Sequence, residues 1–290
     1  VPADFDLYLG ASGWKQVIPP RRKRKGGSRV GIHVNPCGPT RVGSVEGGPP
    51  IEEREDSIRW VLAQEPDFVY CYTTDRFKED YYGYWIRKHG IPVVGLPAAA
   101  DVTVYRPRPS EERFRCDIGW VGGRWPYKAA MLDRYLVPLF RWRCLVFGWG
   151  DTWKNRQTIS DSDVPVLFAS ARLCPGISEA HSVLHPIDIP ERVFKIPASG
   201  GFTIHTPSPA IPDLFGDVVP TARDDREWLG MVEHYLSDDK ARIELAARQR
   251  EEVLRRHTYF DRCVGIAAAL GDGGLADALM KAKTGFVKPG

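Results

Sequence analysis

Short apolar runs alternate with amphipathic stretches over the first hundred residues. The runs at 7–9, 30–34, 67–72 and 91–96 predict strands. The stretch 51–63 predicts a helix, with Ile58, Val61 and Leu62 at helical spacing. A second helix is expected over 77–89, stopped by Gly90. This is the rhythm of βαβ units, which build a mainly parallel sheet covered by helices.

Residues 97–113 interrupt the rhythm with Pro97, Pro107 and Pro109 among arginines and glutamates, as an interdomain connection would. The alternation then restarts. Strands are expected at 117–121, 144–147, 173–177, 202–205 and 217–219. Helices are expected at 127–140, 164–171, 191–196, 211–215, 227–236, 238–256 and 261–270, with Ser237 as the N-cap of the helix from 238. The glycines at 271–274 are expected to end regular order and leave a loose or draped tail. Three segments result: a Rossmann-like domain over 1–108, a second over 112–257, and an end, 258–290, packing back on the first. The fold class is α/β, with two Rossmann-like domains facing across a cleft.

Composition narrows the picture by exclusion. The 290 residues are 43% hydrophobic and 27% charged, enough apolar material for a core and no match to collagen-like or disordered chains. No run approaches the roughly 20 apolar residues of a membrane span. The six cysteines, at 37, 71, 116, 144, 174 and 263, form no C-x-x-C pair, and most lie in apolar strand-like runs. They are expected to be buried thiols, which with no visible signal peptide suggests a cytoplasmic setting. Net charge is only +3, but Arg21, Arg22, Lys23, Arg24 and Lys25 run together. A solvated loop is the plainer reading of that run, and contact with an anionic acceptor or polyanion the other.

Ligands of open α/β sheets bind at the carboxyl ends of the strands. Two strand-end segments stand out. In Val121-Gly122-Gly123-Arg124-Trp125-Pro126-Tyr127-Lys128, glycines permit close backbone approach, a helix start favours phosphate, and Arg124 and Lys128 are placed to share a diphosphate. The second stretch, 189–202, has Glu191, Arg192 and Lys195 on a short helix followed by Ser199, Gly200 and Gly201. Trp149 and Trp153 are candidates for stacking on a base or acceptor. His181 and His185, four apart, lack a third ligand, so no metal site is expected.

The strings "ERVFKIPASGGF", "IPDLFGDVVPTARDDREWLGMVEHYLSDDKAR" and "RRHTYFDRC" resemble the C-terminal domain of the spore-maturation-protein-B-like glycosyltransferases. "LPAAADVTVYRP" is similar to the hinge segment of that family. The resemblance implies the GT-B fold, a nucleotide-diphosphate sugar as donor substrate, a hydroxyl acceptor and no tightly bound cofactor or metal. It places Gly122, Gly123, Arg124 and Lys128 in the diphosphate loop. Glu191, Arg192, Lys195, Ser199, Gly200 and Gly201 fall on the donor-binding helix and turn. Where the family usually carries a glutamate that holds the donor ribose, this chain has Lys195, so either Glu191 takes that role or the donor is held differently. An inverting course would need a base from the N-terminal domain; Asp75, Asp101 and His33 are the candidates. The basic run at Arg21–Lys25 suits an acceptor such as DNA with hydroxymethylated bases; a glycan, a protein or a lipid-linked sugar are the other acceptors. A sugar-nucleotide or nucleic-acid binding module that kept the fold without turnover is one competing reading, and another two-domain nucleotide enzyme, such as an epimerase, is a second.

Overall fold

A computed structural model of the chain describes residues 5–23, 26–43, 51–148 and 158–287. Arg24, Lys25, Trp149 and Trp153 lie outside the described residues, and Arg21 is described by its backbone alone. The chain divides into two compact units, Val1–Pro97 with Val264–Asp277, and Ala98–Cys263 with Ala278–Gly290.

The first unit holds four strands, β1 (Leu7–Ala11), β2 (Arg29–His33), β3 (Phe68–Cys71) and β4 (Val93–Gly95). They pair in chain order and all in parallel. Val30, Ile32, Val69 and Cys71 are wholly buried, because a parallel sheet covered on both faces needs near-continuous apolar strands. Two helices, α1 (Glu55–Ala63) and α2 (Lys78–His89), connect them. Gly90, in the left-handed conformation with φ 63°, ends α2. Helix α1 begins at Glu55, later than its apolar spacing suggested, with Glu55 and Asp56 at its positive end.

The second unit is built on β5 (Cys116–Val121), β6 (Cys144–Phe147) and β7 (Ala171–Leu173), parallel and in the order β6-β5-β7. Around them lie α3 (Pro126–Tyr135), α4 (Val164–Ser170), α5 (Arg192–Ala198), α6 (Ala210–Phe215), α7 (Asp225–Ser237) and α8 (Asp239–Arg256). Ile118 and Trp120 of β5 pack with Leu132 and Tyr135 of α3 and Trp228 of α7 in its largest core. The Trp228 Nε1–H satisfies the Tyr135 carbonyl at 2.9 Å. Two further helices complete the chain: α9 (Tyr259–Ala269) starts in the second unit and ends in the first, and α10 (Gly273–Phe286) starts in the first and ends in the second.

Several expectations need correction. The helix expected over 127–140 stops at Tyr135 and resumes as a 3-10 turn, Val137–Arg141, because Pro138 cannot donate to a continuing helix. The strand expected at 202–205 is a backbone run beside the β7 extension, with isolated bridges from His205 to Gly176 and Thr221. The segment 217–219 is a turn, its Val218 amide bonded to the Phe215 carbonyl. The N-cap of α8 is Asp238, which accepts from the Ala241 amide at 2.9 Å, while Ser237 closes α7. The tail is not loose up to Phe286. Gly271 does end α9 with φ 70°, but Asp272 Oδ1 caps the next helix through the Leu275 amide at 2.9 Å. The Lys283 ammonium then docks on Asp261 at 2.6 Å and the Arg255 carbonyl at 2.8 Å.

All six cysteines are free thiols, and burial pushes Cys71, Cys116 and Cys144 up to about 12. Among the described residues, no helix is long and apolar enough to cross a membrane.

Candidate functional site

The carboxyl ends of β5 and β6 meet at two glycines. The Gly122 amide donates to the Phe147 carbonyl at 3.0 Å, and a β-carbon on Gly148 would lie 1.9 Å from the Gly122 oxygen. Only glycine lets the two strand ends come this close. A β-carbon on Gly122 would also sit 2.8 Å from both Arg192 Nη2 and the Trp120 ring. The bare backbone at Gly122 thereby admits the Arg192 guanidinium from the start of α5, which lies 4.9 Å from the Trp120 ring centroid.

A buried charge cluster surrounds this point. Lys128, on the first turn of α3, donates to Glu179 Oε1 at 2.6 Å, and its side chain is 7% exposed. Burial, aided by the Arg192 charge, lowers Lys128 to about 8 against the pull of Glu179. Burial likewise lowers Arg192 to about 10, with Glu179 opposing the shift. His205 is wholly buried and donates through Nδ1 to the Thr206 carbonyl at 2.8 Å, which leaves Nε2 as a lone-pair acceptor. Burial lowers His205 to about 4, against that hydrogen bond and helped by Arg192 and Lys128. The β-carbon absent from Gly176 would meet His205 Cδ2 at 2.5 Å.

Four polar atoms of this cluster are enclosed without a hydrogen-bond partner: Arg192 Nη1, Glu179 Oε2, Ser178 Oγ and His205 Nε2. Folded proteins pair nearly all such atoms, so this concentration makes the cluster a candidate ligand site. Two cations and neighbouring hydrogen-bonding groups suit a phosphorylated, hydroxylated molecule.

The expected donor residues divide by role. Lys128 and Arg192 come together. Gly122 shapes the approach, and Gly123 packs under Trp125, whose ring a β-carbon would meet at 2.7 Å. Arg124, in the loop before α3, pairs with Asp133 of that helix, through Nη2 at 2.6 and 2.8 Å. Both Glu191 oxygens are engaged, one by Lys195 a turn along α5, the other by the Tyr259 hydroxyl at 2.7 Å. Despite its partial burial Lys195 is raised by that pairing, and its ammonium lies 4.8 Å from the Tyr105 ring centroid. Ser199, Gly200 and Gly201 close α5. The Ser199 hydroxyl bonds the Lys195 carbonyl at 2.9 Å, Gly200 has φ 85°, and a β-carbon on Gly201 would meet the Phe168 oxygen at 2.4 Å.

Glu179, Ser178 and His205 were not singled out from sequence. Each sits at the end of an expected strand, 173–177 or 202–205, and that position is the signal that would have found them. His181 bonds Asp188 at 2.7 Å, and no group of three metal-ligating side chains occurs among the described residues.

In the first unit, His33 at the end of β2 stacks on Tyr72 with ring centroids 4.1 Å apart. Asp75 is exposed and bonds Lys78 at 2.9 Å. Asp101 belongs to the second unit, where it caps a turn by accepting from the Thr103 amide at 2.9 Å and hydroxyl at 2.6 Å. Arg22 and Lys23 are exposed on a 3-10 turn, Arg21–Lys23. The sequence reading also missed Glu53, which it placed on a helix. It accepts from Ser12 Oγ at 2.6 Å and the Asn35 amide at 2.8 Å beyond the ends of β1 and β2, and burial raises its pKa.

Comparison with known proteins bears on this arrangement. No curated protein matches the chain in sequence. The chain is similar in structure to sucrose-phosphate synthase from Thermosynechococcus elongatus, at 12% identity and a TM-score of 0.54, over 96% of this chain and 74% of that one. It is also similar to Anabaena Alr3699/HepE, solved in complex with UDP, at 12% identity and a TM-score of 0.52, over 84% of this chain and 72% of that one. At these identities the likeness is one of fold, and the fold is that of the GT-B glycosyltransferases. The sequence profile described as glycosyl transferase-like matches residues 120–268, a span that begins at Trp120 and takes in Lys128, Glu179, Arg192 and His205. With just over half its length matched, the chain belongs to the glycosyl transferase-like family.

Proposed function

We propose that the protein transfers a sugar from a nucleoside diphosphate donor to a hydroxyl acceptor, in the manner of the spore-maturation-protein-B-like glycosyltransferases. The observation that carries this reading is the buried pair Lys128 and Arg192 at the end of β5, with Arg192 Nη1 enclosed and unpartnered. In the reaction the bond between the sugar C1 and the diphosphate oxygen breaks. The C1 bond to the acceptor oxygen forms, and the acceptor proton is released. Negative charge grows on the departing diphosphate, and Lys128 and Arg192 are fixed to meet it without reorganisation. They supply the counter-charge that a metal would otherwise bring. The UDP bound in the Anabaena structure supports a donor of this class.

In this reading the donor side is 112–257 and the acceptor side 1–108, with 258–290 returning to the latter. Arg124 and the Gly122–Gly123 backbone line the diphosphate loop, and Glu191, Lys195, Ser199, Gly200 and Gly201 build the adjoining helix and its turn. Asp75, His33 and Asp101 are the candidates for taking an acceptor proton; Asp75 is already bonded to Lys78 and Asp101 to its own turn. Exposed Arg22 and Lys23 favour an anionic acceptor, of which DNA with hydroxymethylated bases is one and an anionic glycan or protein another.

A second reading has one specific observation in its favour. Lys195 stands where the family usually has a glutamate, and it neutralises Glu191. That would fit a binding module without turnover. Incubation with UDP-, ADP-, GDP- and TDP-glucose, with and without added DNA, glycan and protein acceptors, separates the two: release of free nucleoside diphosphate, the sugar passing to an acceptor or to water, supports the transferase, and binding without release supports the module.

A further inference from the structure

The Lys128–Glu179 pair poses a problem for any anion entering this site. A phosphate that takes Lys128 away from Glu179 leaves a carboxylate enclosed and unpaired, which is costly. Glu179 Oε2 is already without a partner, as is His205 Nε2 on the neighbouring segment. The two segments are held in register by the Gly176–His205 bridge and by the Ser178 amide, which donates to Thr206 Oγ1 at 3.0 Å. Both unpartnered atoms accept hydrogen bonds, and the diphosphate of a nucleotide sugar, ionised on both phosphates at neutral pH, has only acceptors of its own to offer. A ligand that satisfies the cluster must therefore bring an anion for Lys128 and Arg192, and hydroxyl donors for Glu179 and His205.

We propose that Glu179 is the residue that reads the donor's hydroxyls: the diphosphate takes Lys128 from it, and a hydroxyl of the same ligand takes the place of Lys128 on the carboxylate. This rests on the donor-site reading above and deepens it. It moves hydroxyl recognition from α5, where Glu191 is held by Lys195 and Tyr259, to the loop after β7. The exchange makes the site selective, because a bare anion strips the ion pair without compensating the carboxylate. The hydroxyl comes from the ribose or from the transferred sugar, and the experiment separates these sources.

The test compares inorganic pyrophosphate, UDP, ADP, GDP and TDP, and the glucosides of these four nucleotides, by calorimetric titration. They are titrated into wild type, Glu179→Gln, Glu179→Ala and Lys128→Ala. For wild type, at least one hydroxylated ligand binds more tightly than pyrophosphate. In Glu179→Gln that ligand weakens about tenfold, the loss of one charge-assisted hydrogen bond, while pyrophosphate holds or tightens. These opposite movements are the signature. A loss already present with the nucleoside diphosphate assigns the hydroxyl to the ribose, and a loss only with the glucoside assigns it to the sugar. Glu179→Ala must move both ligands in the same directions, which guards against a peculiarity of the amide. The proposal is overturned if both ligands weaken together, as a purely structural role requires, if neither moves, or if no hydroxylated ligand outdoes pyrophosphate in wild type. If Lys128→Ala leaves pyrophosphate binding intact, the donor-site reading itself fails.

Discussion

The guanidinium of Arg192 occupies space that a β-carbon on Gly122 would claim, 2.8 Å from Nη2. Two parts of the chain 70 residues apart thus fix one cation at the end of β5. Gly122→Ala should push that cation aside and also press on the buried Trp120 ring, which lies equally close. Nucleoside diphosphate affinity should fall about tenfold, with about 1–3 kcal/mol of stability lost to overpacking, measured by titration and urea unfolding. Gly148→Ala behaves differently. Its β-carbon meets backbone at 1.9 Å, which cannot swing away, so a loss of about 3 kcal/mol or more in unfolding free energy is expected.

Lys128 and Glu179 should be coupled in stability. Lys128→Ala leaves a carboxylate enclosed without its cation, and about 3 kcal/mol of stability should be lost. Adding Glu179→Ala should restore part of that loss without restoring pyrophosphate binding. A double-mutant cycle by chemical denaturation measures the coupling, and purely additive effects would show that the two side chains do not share a charge pair.

Donor binding should weaken at alkaline pH. Lys128 is lowered to about 8, so the free protein loses this cation as pH rises through that value. Affinity for the nucleoside diphosphate should therefore decline above about pH 8, approaching tenfold per pH unit where the charge is essential. Lys128→Arg should remove the decline, since arginine stays charged over the range.

Acid should destabilise the second unit. His205 and His257 are both held at about 4 by burial, while an unfolded histidine titrates near 6.5. Between these values the unfolded chain takes up protons that the folded chain refuses, so stability falls as pH drops from about 6.5 to 4. At pH 5 each residue should cost about 2 kcal/mol relative to pH 7. Denaturation at the two pH values checks this, and His257→Phe should reduce the acid sensitivity.

The basic turn should matter for an anionic acceptor alone. Replacing Arg22 and Lys23 with serine should weaken binding to a DNA duplex and flatten its salt dependence, with nucleoside diphosphate affinity unchanged. Unchanged DNA binding would mean that the turn is merely solvated.

The parallel sheets and most helices were legible because buried strands such as Val30–Ile32 and Phe68–Cys71 read as apolar runs, and α2 carried its own stop at Gly90. The far end of the chain was not. Glycines at 271–274 hid the cap that Asp272 gives to α10, since a cap lies in side-chain geometry rather than in periodicity. In the site, Lys128 and Arg192 stood out as cations beside turns. Glu179 did not, because its significance comes from a partner 51 residues away and from burial that no local pattern shows. Arg124 was named for its spacing from Lys128, and local spacing did not show that Asp133 of α3 would pair with it.

The central claim is that Arg192 and Lys128 form a diphosphate site. The most direct test is calorimetric titration of UDP, ADP, GDP and TDP into wild type and Arg192→Ala. Binding of at least one of them to wild type is predicted, weakened about tenfold to a hundredfold in the variant, as loss of a charge-assisted contact requires. Absence of binding by all four, or equal affinity in the two proteins, would contradict it.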